Sequence, residues 1–319
     1  NMKALFFGIR ILLIISVLIL SVIYFPYTVF KPHSESPISL QVDTVEDYLQ
    51  QQEAKYPHLR QGLHKKIIWG NRPKEKTKLS LVFLPGFTAT QKEISPVVEN
   101  LGEKLKANIF LSRLPAHGEE IEDFKRVQTQ EFFDAASESY QIGKIIGNET
   151  ILVGSSTGAS LLLYQVSRLG DTKAVILFSP AFYSYWNPQR VLLNKSIALP
   201  LVKFFLGETY SWGPYYPTQE LYWNTKYNTD ILPKVMETFY TVSSQSYSNL
   251  KTPVLMFYNP KDHVINAQVM EAKFSELKNA NSKKIIINSR DRHVIAGAIT
   301  SPESTDFAVA ESLKWILSL

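Results

Sequence analysis

The sequence predicts an α/β fold in which a mostly parallel central sheet is flanked by helices. Short apolar runs of four to six residues alternate along the chain with longer segments of helical period. Strands that alternate with helices need crossover connections, which place neighbouring strands parallel. The length of 319 residues and the apolar content of 45% suit one large domain of this class that carries an insertion.

Charge and composition exclude several classes of function. The formal net charge of +5 is modest, and no run of lysine and arginine has the density of a nucleic-acid interface, so we expect no nucleic-acid partner. The chain has no cysteine, which excludes a disulfide framework, a cysteine nucleophile and a cysteine-ligated metal. No motif implies a metal or an organic cofactor.

The N-terminal segment, residues 2–30, predicts a single transmembrane anchor helix, because Ala4–Phe25 is almost wholly apolar and long enough to cross a bilayer. Lys3 and Arg10 favour a cytoplasmic N-terminus and an extracytoplasmic main domain. A cleaved signal peptide is one alternative, although no small-residue cleavage site follows the apolar run. A helix packed on the protein itself is the other, which the uniform hydrophobicity of the segment disfavours. Residues 31–65 are interpreted as a linker and a helical lead-in.

The main domain is expected at residues 66–319. Its predicted strands are Lys66–Trp69, Leu79–Leu84, Asn108–Leu111, Thr150–Val153, Ala174–Phe178, Pro253–Tyr258 and Lys284–Ile287. The predicted helices are Val42–Tyr56 in the lead-in, then Glu93–Leu105, Thr129–Ile146, Ala159–Tyr164, Ala267–Leu277 and Phe307–Leu319. An insertion at residues 180–251 interrupts this alternation, since it is rich in aromatic residues and far longer than a crossover requires.

The segment Gly154–Gly158 has the pattern G-x-S-x-G and lies between a predicted strand and a predicted helix. That context is typical of a nucleophile elbow, in which the glycines allow a sharp turn and the central Ser156 is exposed at the end of the strand. The alternative is a strand-to-helix turn in which Ser156 only caps the helix. The decision depends on whether an acid and a histidine follow in the right order.

An aspartate and a histidine do follow, each just after a later predicted strand. Asp262 comes after Pro253–Tyr258 and His293 after Lys284–Ile287. In parallel sheets the carboxyl ends of the strands share one edge, where sites are assembled. His293 can accept the proton of Ser156, and Asp262 can orient the imidazole and stabilise its protonated form.

Two neighbouring residues are alternatives for these roles. His263 could be the base, but it adjoins Asp262 too closely to be oriented by it from across the site. Asp291 could be the acid, although its position two residues before His293 favours a loop cap.

Acyl transfer also needs hydrogen-bond donors for an oxyanion. One donor is expected to be the backbone N–H of Thr157, which follows the nucleophile at the start of the helix. The other is expected to be the N–H of Phe87, in the loop after Leu79–Leu84, where Gly86 allows close approach. An ordinary turn is the alternative for Pro85-Gly86.

Together these motifs resemble the α/β-hydrolases of the carboxylesterase and monoacylglycerol-lipase type. The residues that carry the resemblance are Leu84–Thr88, Leu114–Gly118, Gly154–Gly158, Asp262 and His293–Ile295. The family usually has His-Gly where this chain has Pro85-Gly86. Ala116–Gly118 matches the Gly-His-Gly of the family, which implies a structural turn and no catalytic role for His117.

The resemblance implies an α/β-hydrolase fold, with residues 180–251 as a cap over the site, and a serine hydrolase that cleaves short- to medium-chain acyl esters or monoacylglycerol. An aromatic cap suits an apolar substrate, although its rings could equally pack the cap itself. The residues expected to bind substrate are Phe87, Tyr183, Trp186, Trp212 and Trp223. The alternatives are a thioesterase or a serine peptidase with the same triad, or a membrane-tethered binding protein without activity.

Overall fold

A seven-stranded sheet lies at the centre of the fold, in the strand order β1-β3-β2-β4-β5-β8-β9. Every pairing in it is parallel except the antiparallel pairing of β1 with β3. The computed structural model describes residues 8–16, 29–33, 37–183, 192–193 and 195–319. The strands are β1 (Lys66–Ile68), β2 (Thr77–Leu84), β3 (Asn108–Leu111), β4 (Gly147–Ser155), β5 (Ala174–Phe178), β6 (Thr209–Ser211), β7 (Lys226–Asn228), β8 (Val254–Tyr258) and β9 (Lys283–Ile286).

Helices cover both faces of this sheet, as the predicted fold class requires. The helices are α1 (residues 8–16), α2 (Val45–Glu53), α3 (Val97–Leu105), α4 (Thr129–Ile146), α5 (Ser156–Leu169), α6 (Lys195–Leu206), α7 (Gln219–Tyr222), α8 (Leu232–Ser244), α9 (Ala267–Ser275) and α10 (Pro302–Leu317). Helix α3 begins later than predicted, because Pro96 disfavours helical geometry in the residue before it. Helix α10 begins earlier than predicted, with Pro302 in its first turn, where no N–H partner is needed.

The core consists of two apolar layers, one on each face of the sheet. Strand β2 supplies both, since Val82 and Leu84 lie in one layer whereas Leu81 and Phe83 lie in the other. Helices α4, α5 and α8 pack into the first layer, and α3 and α10 into the second. A strand buried on both faces is nearly continuous in apolar residues, which is why β2, β4 and β5 were recognisable in the sequence.

The lead-in at residues 37–65 packs against the sheet domain. Helix α2 buries Val45 and Leu49 in the first core layer. Its last residue, Glu53, pairs with buried Arg113 at 2.9 Å, and Arg113 also pairs with Glu119 at 3.1 Å. Removing one member would leave a buried charge without a partner, so this network ties the lead-in to the domain.

The prediction of a single-pass membrane anchor at residues 2–30 is wrong for the part of the chain that the structure describes. Within that part, no helix is both long and apolar enough to cross a membrane. The described part of α1, residues 8–16, rises about 14 Å, against a hydrocarbon core of about 30 Å. Residues 2–7 and 17–28 of the predicted anchor lie outside the described residues. The extracytoplasmic placement of the domain depended on this anchor and is withdrawn with it.

The insertion predicted at residues 180–251 contains α6, the antiparallel pair β6–β7, α7 and α8. Residues 184–191 and 194 of the insertion lie outside the described residues. Helix α8 packs on α4 and α5, so its buried face belongs to the core of the domain. The segment from β6 to β7 instead presents Tyr210, Trp212 and Tyr227 to the cavity described below.

Candidate active site

Ser156 lies at a sharp turn between β4 and α5. Its φ of 47° is in the left-handed region that residues with a side chain rarely adopt. Both flanking glycines are required sterically. A Cβ at Gly154 would lie 2.5 Å from the Cα of Ala159, and one at Gly158 would lie 2.1 Å from the carbonyl oxygen of Leu84. The G-x-S-x-G pattern therefore specifies this turn through backbone contacts.

The structure brings Ser156, His293 and Asp262 into one hydrogen-bonded line. The Nε2 atom of His293 lies 2.9 Å from Ser156 Oγ, and its Nδ1 atom lies 2.7 Å from Asp262 Oδ2. Ser156 follows β4, Asp262 follows β8 and His293 follows β9, all at the carboxyl edge of the sheet. The arrangement can move a proton from a serine hydroxyl to an imidazole oriented by a carboxylate.

Asp262 is held by its own loop. Its side chain is fully buried, and its Oδ1 atom accepts hydrogen bonds from the N–H groups of Val264 and Ile265 at 2.8 and 2.9 Å. Asp291 instead accepts from the N–H groups of His293 and Val294, at 2.8 and 3.0 Å, through one carboxylate oxygen. Asp291 thus holds the loop that carries His293, while Asp262 contacts the imidazole itself.

His263, the alternative base, is exposed and lies outside the line of hydrogen bonds from Ser156 to Asp262. Its ring contacts Tyr215 edge to face, with the two ring centres 6.4 Å apart. Burial lowers the pKa of His293, but the hydrogen bond and charge of Asp262, with the charges of Glu93 and Asp291, raise that pKa above its ordinary value overall. The surroundings of His293 therefore favour its protonated form, as a general base requires.

The loop after β2 directs three consecutive backbone N–H groups to three different acceptors. The N–H of Gly86 donates to Glu93 Oε2 at 2.7 Å, and that of Phe87 to Thr157 Oγ1 at 3.3 Å. The N–H of Thr88 donates to His117 Nε2 at 2.7 Å. Phe87 N–H therefore lies at the first turn of α5, next to Ser156.

Two residues of this arrangement have roles that sequence reasoning missed. Glu93, which was predicted only as the first residue of a helix, is 2% exposed and lines the cavity beside Ser156 and His293. Burial raises the pKa of Glu93 to about 7, against the opposing effects of the Gly86 N–H and of the charge on His293. The only sequence signal for the burial of Glu93 was its position between the predicted strand Leu79–Leu84 and the apolar residues of the next helix. The second residue is His117, which was predicted only as part of a turn.

A cavity of about 360 Å³ opens above Ser156 and is lined mainly by aromatic rings. Of the residues predicted to bind substrate, Phe87, Tyr183, Trp212 and Trp223 line it, whereas Trp186 lies outside the described residues. The sequence did not single out Tyr210, Tyr227 and Phe239, which also line it. In the part of the chain that the structure describes, no group of three or more metal-ligating side chains could hold a metal ion.

The rings of this cavity support one another. Tyr183 stacks on Phe239 with ring centres 4.7 Å apart, and Phe87 meets Tyr227 edge to face at 5.2 Å. Burial raises the pKa of Tyr183 to about 12, helped by the charge of Asp262, so its hydroxyl stays neutral and can donate a hydrogen bond. The wall thus combines aromatic rings and a few hydroxyl groups with the ionisable side chains of Glu93, Asp291 and His293.

Comparisons with known proteins find likeness in structure alone. No protein-family model matches the chain, and no curated protein matches it in sequence. A structure from the description of LipS and LipT, two metagenome-derived lipolytic enzymes, superimposes with a TM-score of 0.66 at 11% identity, covering 82% of this chain and 100% of the other. A monoacylglycerol lipase from Paleococcus ferrophilus gives 0.56 at 15% identity, with coverages of 80% and 98%.

A third solved structure, alpha/beta hydrolase domain-containing protein 10 from mouse, gives a TM-score of 0.53 at 16% identity and covers 81% of this chain and 96% of its own. All three align over nearly their whole lengths, so the likeness includes the sheet, its flanking helices and their order. Identities this low carry information on the fold alone.

Proposed function

We propose that this chain, which has the α/β-hydrolase fold, hydrolyses carboxylic esters through an acyl-enzyme formed on Ser156. The observation that carries the proposal is the line of hydrogen bonds from Ser156 through His293 to Asp262, at the floor of an aromatic cavity. The lipolytic enzymes and the monoacylglycerol lipase that share the fold add support for ester hydrolysis.

In the acylation step, Ser156 Oγ attacks the ester carbonyl carbon while its proton moves to Nε2 of His293. Asp262 keeps the other ring nitrogen protonated and stabilises the imidazolium that forms. When the tetrahedral intermediate collapses, the carbon–oxygen bond to the leaving alcohol breaks and His293 returns the proton to that oxygen. Water then repeats the sequence on the acyl-enzyme, which releases the acid and restores Ser156.

The oxyanion of each intermediate would be held by the N–H groups of Phe87 and Thr157. In the resting structure Phe87 N–H meets the neutral hydroxyl of Thr157 at the long distance of 3.3 Å. A charged oxygen is a stronger acceptor than a hydroxyl, so an oxyanion can displace that contact. The start of α5 adds the positive end of a helix dipole.

The cavity favours an apolar acyl group, and we assign short- to medium-chain esters or monoacylglycerol as its substrates. Phe87, Tyr183, Trp212 and Trp223 would contact the acyl chain from the cavity wall. We further assign residues 66–319 to the catalytic domain, with residues 180–251 as the insertion that covers the site. A thioesterase or a serine peptidase would use the same line of residues, so the leaving group has to be identified by assay.

A fluorophosphonate probe tests the mechanism directly, because it labels only an activated serine. The wild-type chain and the control variant Ser160→Ala, which removes another buried hydroxyl on α5, are expected to be labelled, whereas Ser156→Ala is not. Equal labelling of Ser156→Ala would contradict the mechanism, and an unlabelled, inactive wild-type chain would favour a binding protein. Matched series of acyl esters, thioesters and aminoacyl amides then separate the three reaction types by kcat/KM.

A further inference from the structure

Glu93 is a buried carboxyl group next to the reacting serine. Its Oε2 atom accepts a hydrogen bond of 2.7 Å from the N–H of Gly86. A Cβ at Gly86 would lie 2.8 Å from Glu93 Oε1 and 3.0 Å from the Cβ of Ser156. The backbone of Gly86 is thus held between the carboxyl group and the serine, with no room for a side chain.

The charged groups that act on Glu93 belong to the same site. His293 and Asp291 face it from the loop after β9, and the hydroxyl of Ser155 faces it from the end of β4. On its own segment, Lys92 pairs with Glu99 at 4.0 Å, and both side chains are partly exposed. The nearest countercharge available to Glu93 is therefore the imidazolium that His293 becomes during the reaction.

We propose that Glu93 is a positioning residue for acyl transfer: it fixes the Pro85–Gly86 peptide, and through it the loop that directs Phe87 N–H to the oxyanion, and its negative charge stabilises protonated His293. The inference rests on the proposed function. The Gly86 N–H and the Phe87 N–H are adjacent along one loop, so an acceptor that fixes the first restricts rotation of the second. Asp262 contacts Nδ1 of His293, whereas Glu93 acts on the ring through space.

Two variants separate the hydrogen bond from the charge. Glu93→Gln keeps an acceptor oxygen but loses the charge, whereas Glu93→Ala loses both. For Glu93→Ala we expect kcat per labelled Ser156 to fall roughly 10- to 100-fold with little change in KM, because a misdirected oxyanion donor weakens transition-state binding alone. For Glu93→Gln we expect a smaller fall in kcat than for Glu93→Ala, and this fall should persist at alkaline pH, because the imidazolium that His293 becomes during the reaction has lost a countercharge.

The pH profile reports the charge. A neighbouring carboxylate favours imidazolium and raises the pKa of His293, so its removal lowers that pKa. Since the free base form of His293 is the active one, the acid limb of kcat/KM in Glu93→Gln should move to lower pH. Glu237→Gln is the matched control, because Glu237 is a buried glutamate that accepts from the Thr129 hydroxyl and is not in the cavity lining; its acid limb should coincide with that of the wild type.

The same experiment shows which idea fails. A wild-type acid limb in Glu93→Gln, or a wild-type kcat per labelled site in Glu93→Ala, overturns the role of Glu93, even if both variants melt at a lower temperature. Titration of the His293 imidazole by NMR, with and without Glu93→Gln, measures the charge effect independently of turnover, and an unchanged His293 pKa also overturns it. Failure of the wild-type chain to be labelled or to hydrolyse any ester would instead refute the proposed function.

Discussion

The Nε2 atom of His117 accepts a hydrogen bond of 2.7 Å from the backbone N–H of Thr88. The other ring nitrogen, Nδ1, lies 2.8 Å from the carbonyl oxygen of Pro115 and must donate to it, which fixes a neutral imidazole protonated at Nδ1. Burial lowers the pKa of His117 to about 3, in agreement with a neutral ring. The residue that the sequence marked as a turn thus also anchors the loop that carries Phe87.

His117→Ala should destabilise the chain by about 1–3 kcal/mol at pH 7.5, because the buried N–H of Thr88 and the partly buried carbonyl of Pro115 lose their partner. The folded pKa lies below the unfolded value of about 6.5, so the unfolded state takes up a proton first as the pH falls. The free energy of unfolding of the wild type therefore falls by up to about 1.4 kcal/mol per pH unit below pH 6.5. The variant lacks this titrating group, so the difference in unfolding free energy between the two proteins narrows. Urea unfolding from pH 7.5 to 5 measures this, and a pH-independent gap would contradict it.

The two candidate acids can be separated by substitution. Asp262→Asn should lower kcat by about 10⁴-fold, since the amide no longer holds the Nδ1-protonated tautomer of His293. Asp291→Asn should cost far less, because an amide oxygen can still accept from the N–H groups of His293 and Val294. Steady-state kinetics on both variants provide the comparison. A larger loss of kcat in Asp291→Asn would mean that Asp291, and not Asp262, orients His293.

The sequence was most informative where function coincides with the ends of buried strands. Ser156, Asp262 and His293 each follow an apolar run, and parallel strands bring such positions to one edge. Glu93 has no such signal, because its burial depends on how the loop from Gly86 folds back under it. The predicted helix began at Glu93, whereas α3 begins at Val97, directly after Pro96.

Polar contacts between residues far apart in the chain could not be predicted from the sequence either. The lead-in was predicted as a linker and a polar helix, but Glu53 reaches buried Arg113 across sixty residues of chain. The apolar N-terminal run predicted a membrane span that the described residues do not contain. Hydrophobicity indicates that a segment avoids water, but it does not distinguish a segment buried in a membrane from one packed against the rest of the protein. That distinction depends on the structure around the segment.

Gly158 should tolerate no side chain. A Cβ there would lie 2.1 Å from the carbonyl oxygen of Leu84 and 2.5 Å from that of Pro85, both of which are backbone atoms that cannot move aside. We expect Gly158→Ala to cost more than about 3 kcal/mol and to abolish labelling of Ser156. Gly213→Ala is the matched control, since its Cβ meets no atom within 4 Å, and its melting temperature should stay near that of the wild type.

Loss of a ring from the cavity wall should change chain-length preference. Trp212→Ala removes apolar contact area, so KM for octanoyl esters should rise several-fold more than KM for acetyl esters. Phe204→Ala, on α6, removes a ring that is 77% exposed and should leave the ratio unchanged. A series of p-nitrophenyl esters gives both ratios, and equal effects on short and long chains would remove Trp212 from the acyl-binding wall.

Strain at Ser156 should be measurable once the hydroxyl is gone. The φ of 47° costs a residue with a Cβ about 1–2 kcal/mol, whereas glycine adopts it readily. Ser156→Ala and Ser156→Gly both lose the hydrogen bond to His293, so their difference isolates the backbone. We expect Ser156→Gly to be the more stable of the two by about 1 kcal/mol, after the greater unfolded-state entropy of glycine has offset part of the gain. Denaturant unfolding of the two inactive variants measures this difference, and a more stable Ser156→Ala would mean that the turn is not strained in solution.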